Sequence, residues 1–189
     1  MSAAVVRSSP VPVLLVGPGV RTVAPRVGRL VACLDGSDVA ERALPVAAEL
    51  AQRLSAELIL IRVAPDGRVA GTDLPGLAYL HDAAEGLPGP PPLIDVLHDR
   101  RPVEAIAAYG GDRGDTVTVM ATHGRSGLRG VLMGSVARGV TNAAKCPVLV
   151  VPPSATARLL ARSGASRARG ATQMRLRGEV QAVNMRTGP

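Results

Sequence analysis

The chain has 189 residues but no Phe and no Trp, and its tyrosines are two, Tyr79 and Tyr109. A core without large rings must be built from Val, Leu, Ile and Ala, which suits buried parallel strands under Ala-rich helices. The same lack removes the stacking platforms on which a binder of single-stranded nucleic acid depends. Cysteine is equally scarce. Cys33 and Cys146 make no disulfide framework, neither has a metal-ligand neighbour in sequence, and both sit in apolar contexts as small buried residues. No apolar run reaches the ~18 residues that a membrane helix requires. The N-terminus is rich in proline and shows no signal-peptide pattern, so the cytoplasm is the expected compartment. The length suits one domain of ordinary size with tails and is too short for two full α/β domains.

Positive charge is missing where a nucleic acid would need it. The formal charge is +7, yet residues 29–153 carry twelve basic against fourteen acidic side chains. The excess lies in the flanks, with three arginines in residues 1–28 and seven arginines against Glu179 in residues 154–189. A nucleic-acid-binding domain carries its basic patch on the folded part. No specific nucleic-acid partner and no membrane partner is therefore expected. The Arg-rich tail 154–189 reads as solvated and disordered.

What is present is an alternation of strand and helix signals. Residues 29–34 are short and apolar and stop at Asp35-Gly36-Ser37, a strand followed by a turn. Ser37 suits the N-cap of a helix through about Leu54, with Ala40, Ala43, Leu44, Ala47, Leu50, Ala51 and Leu54 at helical spacing. Pro45 predicts a bend in that helix near Glu41 to Pro45. Residues 57–63 form the second strand, 64–76 a loop, and 77–85 a short helix closed by the Gly/Pro run 86–92. The third strand is 93–97, followed by a helix from Pro102 to about Tyr109. Residues 116–122 are a β-prone fourth strand, 123–130 a glycine-rich loop, 135–145 a helix and 147–151 the fifth strand. Such alternation implies a parallel sheet with right-handed crossovers. Ligands of such sheets bind beyond the carboxyl ends of the strands, at the topological switch point. That edge holds Asp35, Val63 and the loop that begins at Ala121.

The segment richest in chemical information runs from Met120 to Val136. A strand leads into a loop with glycines at 124, 127, 130 and 134, and Gly134-Ser135 then opens a helix. Glycines allow close approach of backbone to an anion. A helix start presents unpaired N–H groups and the positive end of the dipole. Together these suit phosphate, and Arg125 and Arg129 are placed to add charge-assisted bonds. On the glycines alone, a phosphate loop and a plain strand–helix connector both remain open. The loop is no Walker A motif, since no Gly-Lys-Ser/Thr follows the glycines. It is no dinucleotide fingerprint either, since that belongs after the first strand.

The stretch from Ala121 to Val151 resembles the C-terminal signature of universal stress proteins. ATP-binding members of that family carry Gly, two residues, Gly, nine residues, then Gly-Ser or Gly-Thr. Gly124, the nine residues after it, Gly134 and Ser135 match, while Ala121 stands at the first glycine position. Asp35 resembles the family's aspartate after the first strand, and Val63 falls where the second strand's end meets adenine. The resemblance covers residues 29–153. It implies a Rossmann-like, flavodoxin-like α/β domain of the adenine nucleotide α-hydrolase-like type, with a five-stranded parallel sheet in the order 3-2-1-4-5. It implies ATP as ligand, able to carry magnesium, held by Asp35, Val63, Ala121, Gly124, Arg125, Gly127, Gly134, Ser135 and Val136. It also implies a stress-response role with at most weak ATP hydrolysis, and a homodimer formed through the last strand.

Two departures keep an alternative open. Ala121 replaces a glycine, and Asp99-Arg100-Arg101 stands before Pro102 where the family often has a glycine. Both would suit a universal stress domain that binds no nucleotide and serves as a dimerisation or interaction module. An ATP-dependent transferase of the wider group is a third reading and ranks last, since it needs an added substrate domain or catalytic loop that the sequence does not show. Asp35 suits ribose binding or fixing of its own loop, Ser37 a helix cap. His81 and His98 show no partner spacing for a metal, and His123 reads as a lone loop histidine, solvent-exposed or structural. Finally, residues 11–18 echo 146–153, each with a proline, an aliphatic run and a Gly/Pro stop. Residues 11–16 thus resemble the last strand of a preceding domain and are expected to pair with 147–151.

Overall fold

The apolar segments become a single sheet because each offers two hydrophobic faces. A computed structural model describes residues 6, 9–21, 24–65, 73–111, 114–122 and 133–156. Its strands are β1 (Val13–Leu15), β2 (Arg29–Leu34), β3 (Glu57–Ala64), β4 (Leu93–His98), β5 (Thr116–Ala121) and β6 (Val148–Val151). Its helices are α1 (Asp38–Glu41), α2 (Leu44–Leu54), α3 (Leu74–Ala84), α4 (Pro102–Gly110) and α5 (Ser135–Ala143). Among the described residues the sheet has six strands in the order β1-β6-β5-β2-β3-β4. The pairs β2–β3, β2–β5, β3–β4 and β5–β6 are parallel, and β1–β6 is antiparallel. The expectation of a five-stranded, wholly parallel sheet in the order 3-2-1-4-5 is thereby corrected. A sixth strand joins at the edge, makes the sheet mixed and renumbers the others.

Side chains alternate between two buried faces, as the pleat requires. Val31, Ile59, Ile61, Met120, Val148 and Val150 pack with Ile106 of α4 and with Ala137 and Val140 of α5 in one cluster. Their neighbours Leu30, Ala32, Leu58, Leu60 and Val119 are buried on the opposite face, the side taken by α1 and α2. Helices α4 and α5 approach closely because Gly139 lacks a side chain. A Cβ there would lie 2.7 Å from Val103 Cγ2.

Local chemistry moved two helix boundaries. The expected bend at Pro45 is a break: α1 ends at Glu41, and α2 begins at Leu44 with the proline in its first turn. Pro45 has no N–H to give to the Glu41 carbonyl, so the helix restarts. Residues 74–76, read as loop, are the first turn of α3. Asp73 caps that turn, its Oδ1 accepting from the Gly76 N–H at 2.8 Å, and Pro75 lies at the helix start.

The registers Val13↔Val150, Leu14↔Leu149 and Leu15↔Val148 lay β1 along β6. Leu15 is 3% exposed and belongs to the cluster under α5, with Val13 packed at its margin. β6 therefore has β5 on one side and β1 on the other. The edge of β6 is thus occupied by a strand of the same chain, as the echo between residues 11–18 and 146–153 implies. At the other end of the described chain, Thr156 Oγ1 donates to the Arg42 carbonyl at 2.7 Å. The described residues belong to the unit Met1–Thr156, and the tail from 157 onward lies outside them. No described helix is long and apolar enough to cross a membrane.

Removing the Leu15 side chain tests how firmly β1 is held. Leu15→Ala is expected to cost about 2–3 kcal/mol of unfolding free energy, read as a lower urea midpoint with an unchanged slope.

Candidate functional site

β2 and β5 lie side by side and parallel, paired from Arg29↔Thr116 to Ala32↔Val119. The chain leaves β2 for β3 on one side, and leaves β5 for β6 on the other. The two connections diverge and part at the carboxyl edge, with Asp35 after β2 and Ala121 at the end of β5. This is the switch point, where ligands of such sheets bind.

On the β2 side the chain turns at Gly36, whose φ of 82° costs glycine little. Asp35 Oδ1 accepts from the Ser37 N–H at 3.1 Å and from the Ser37 hydroxyl at 2.6 Å. Ser37 Oγ accepts in turn from the Ala40 N–H at 3.2 Å and caps α1. The aspartate is half-buried, and its orientation is set by the serine that starts the helix.

On the β5 side the buried Thr122 organises the return of the chain. Its N–H donates to the Val151 carbonyl at 3.3 Å, and its carbonyl accepts from the Gly134 N–H at 2.7 Å. That bond draws the start of α5 against the end of β5. Gly134 is the N-cap and supplies no side-chain bond to the first turn, which also holds no acidic residue. The first amides of α5 thus have no intrahelical acceptor and no side-chain cap from Gly134, and they carry the positive end of the helix dipole. Ser135 is exposed at this start. Val136 and Val63 are half-buried and pack at the margin of the same core cluster. Asp35, Ala121, Gly134, Ser135 and Val136 are thus gathered at one edge, with Val63 at the end of β3 beside them. Gly124, Arg125 and Gly127 lie outside the described residues, as do His123 and Arg129.

The Asp99–Arg101 turn is closed by Asp99 Oδ1, which accepts from the Arg101 N–H at 2.8 Å. It follows β4, two strands from β2, so it stands at the far end of the edge and not between β2 and β5. Burial pushes the Cys33 thiol up, with Cys146 adding to the effect, which holds that sulfur away from the reactive thiolate. Among the described residues no group of three or more His, Cys, Asp or Glu is arranged to hold a metal.

Four residues escape the sequence reading: Thr122, Glu41, Tyr79 and Arg62. Thr122 was visible only as the last residue of a strand. Glu41 and Tyr79 meet across 38 positions, the tyrosine hydroxyl donating to Glu41 Oε1 at 2.9 Å. Arg62 places its guanidinium carbon 5.2 Å from the centroid of the Tyr79 ring. No spacing rule links these residues. The sole signal was that Tyr79 is one of two aromatic residues in the chain.

A parallel-sheet α/β domain with a polar turn and an uncapped helix start at its strand crossover is of the class that holds small anionic ligands at the strand ends. Comparison narrows the class. The model of the universal stress protein family matches residues 27–152, and the chain belongs to that family. A universal stress protein of Mycobacterium tuberculosis strain H37Rv is 35% identical over 134 residues, which cover 64% of this chain and 44% of the relative. The match thus spans less than half of that relative's length. A universal stress protein solved in complex with cAMP aligns with a TM-score of 0.55 at 25% identity, over 68% of this chain and 98% of that one. The universal stress protein of Archaeoglobus fulgidus in complex with dAMP aligns at 0.50 and 25% identity, over 68% and 99%.

The double role of Ser37 predicts its own loss. Ser37→Ala removes the side-chain cap of α1 and the hydroxyl bond to Asp35, and leaves the Ser37 N–H bond to Asp35 in place. It is expected to cost about 1 kcal/mol, seen as a fall of roughly 2–5 °C in the thermal midpoint.

Proposed function

We propose that this universal stress domain binds an adenine nucleotide at the carboxyl edge between β2 and β5, and that binding rather than turnover is its working event. The observation that carries the reading is the Gly134–Thr122 bond. It sets an uncapped helix start, free of acidic side chains, at the switch point beside Asp35. The phosphates would lie on the first amides of α5 and the Ser135 hydroxyl, with Gly124, Arg125 and Gly127 completing the cradle. Asp35 would accept from the ribose hydroxyls, while Val63, Ala121 and Val136 would line the apolar part. The ligands of two structural relatives, cAMP and dAMP, share an adenine, a pentose and a phosphate, and they support the class of ligand. ATP is the member of that class the family signature favours. Magnesium would travel on the triphosphate, with the Asp35 carboxylate as the described group nearest to it in chemistry.

A domain that works only as a dimerisation module is the competing reading. Its strand-to-strand interface would need the edge of β6, which β1 covers. The Asp99–Arg101 turn that favoured it lies two strands from the cleft.

Calorimetric titration of the full chain with ATP, cAMP, dAMP and GTP tests the proposal. The adenine nucleotides are expected to bind and GTP to bind more weakly. A Gly134→Val, Ser135→Ala double variant should lose at least about tenfold in ATP affinity, or 1.4 kcal/mol. Undetectable ATP binding by the parent, or equal binding by the variant, would overturn it.

A further inference from the structure

A polar cluster stands just outside the cleft and touches its wall. Tyr79 projects from α3, yet its hydroxyl donates to Glu41 Oε1 on α1 at 2.9 Å. Arg62 of β3 lies over the tyrosine ring. Three elements therefore close on one half-buried side chain. Burial and the Glu41 bond push the Tyr79 phenol well above its ordinary value, so the hydroxyl keeps its proton at neutral pH. Donation to Glu41 requires that proton.

The position of the cluster matters because α1 is a single turn of four residues. So short a helix has little stability of its own. Its start is capped by Ser37, the partner of Asp35, whose Oγ accepts from the Ala40 N–H. Its last residue, Glu41, donates its N–H to the Ser37 carbonyl at 3.1 Å and its carboxylate receives Tyr79. The turn that presents Asp35 is thus tied at one end by Ser37 and at the other by Tyr79. A ring braced by a guanidinium is harder to displace than a free one.

We propose that Tyr79, braced by Arg62 and bonded to Glu41, is a positioning residue that fixes the Asp35–Gly36–Ser37 turn and thereby sets the affinity of the adjoining site. The link to affinity rests on the nucleotide reading above. The fixing of the turn does not, and it can be measured without ligand.

Amide hydrogen exchange in the full chain separates the two. The Ser37 and Ala40 amides report on the turn, since they donate to Asp35 Oδ1 and Ser37 Oγ. Val119, fully buried in β5, reports on global stability. In Tyr79→Phe the Ser37 and Ala40 amides are expected to exchange about tenfold faster, with Val119 little changed. ATP affinity should weaken about fivefold to tenfold. Glu41→Ala should reproduce both effects, and Glu41→Gln, which keeps an acceptor oxygen, should restore most of each. This pair carries the test if the tyrosine variant does not fold. Unchanged exchange at Ser37 and Ala40, or an equal rise at Val119, would overturn the proposal. Faster local exchange with undiminished ATP affinity would overturn its link to the site. If the parent binds no nucleotide while the local exchange pattern holds, the nucleotide reading falls and the fixing of the turn stands.

Discussion

The parallel pairing of β2 with β5 is the constraint on which the rest depends. Leu30 faces Val117 and Ala32 faces Val119, all four buried. Both faces of these strands are apolar, and a slip of one residue would exchange the sets that meet each helix layer. Because the chain departs from this pair in opposite directions, the connections separate at the carboxyl edge. Asp35 and Thr122 come to stand on either side of the gap, and the start of α5 is drawn to it by the carbonyl of Thr122. The site is in this sense a property of strand order before it is a property of any side chain.

A second constraint acts at the opposite side of the sheet. An aliphatic β6 with an open edge would be a template for another strand. Here the chain supplies its own cover, since β1 pairs with β6 through three residues and inserts Leu15 beneath α5. The cover is short, and Leu14 on its outer side is 51% exposed. Membership of the universal stress protein family therefore comes with an edge closed from within the described chain.

The chemistry gathered at the carboxyl edge is that of holding. It consists of a carboxylate oriented by a serine, a hydroxyl, the backbone amides of a helix start whose N-cap glycine has no side chain to cap them, and aliphatic side chains at the margin. The thiols are kept out of it, Cys33 by burial and Cys146 beneath α4, where its sulfur lies 3.3 Å from Thr118 Oγ1. The scarcity of aromatic residues gives the one tyrosine near the edge particular weight. Tyr79 is the sole aromatic side chain bridging α3 to the turn after β2.

Much of this was legible in sequence because it is written locally. Runs of Val, Leu and Ile bounded by Gly and Pro mark the strands, the glycines before Ser135 mark a helix start, and Ser37 three residues before Ala40 marks a cap. The resemblance between residues 11–18 and 146–153 pointed to β1 beside β6. Local rules erred where two of them competed. Pro45 was taken to bend a helix that it in fact restarts, and Asp73 with Pro75 opened a helix in what read as loop. The tertiary structure alone decided that β1 runs antiparallel to β6 and makes the sheet mixed, and that the Asp99–Arg101 turn stands away from the cleft. It alone joined Tyr79, Glu41 and Arg62 behind Asp35. Propensity, period and capping act over a few residues and can be read along the chain, whereas these contacts join positions 17 to 137 residues apart and exist only once the packing of the two faces has fixed the order of the strands.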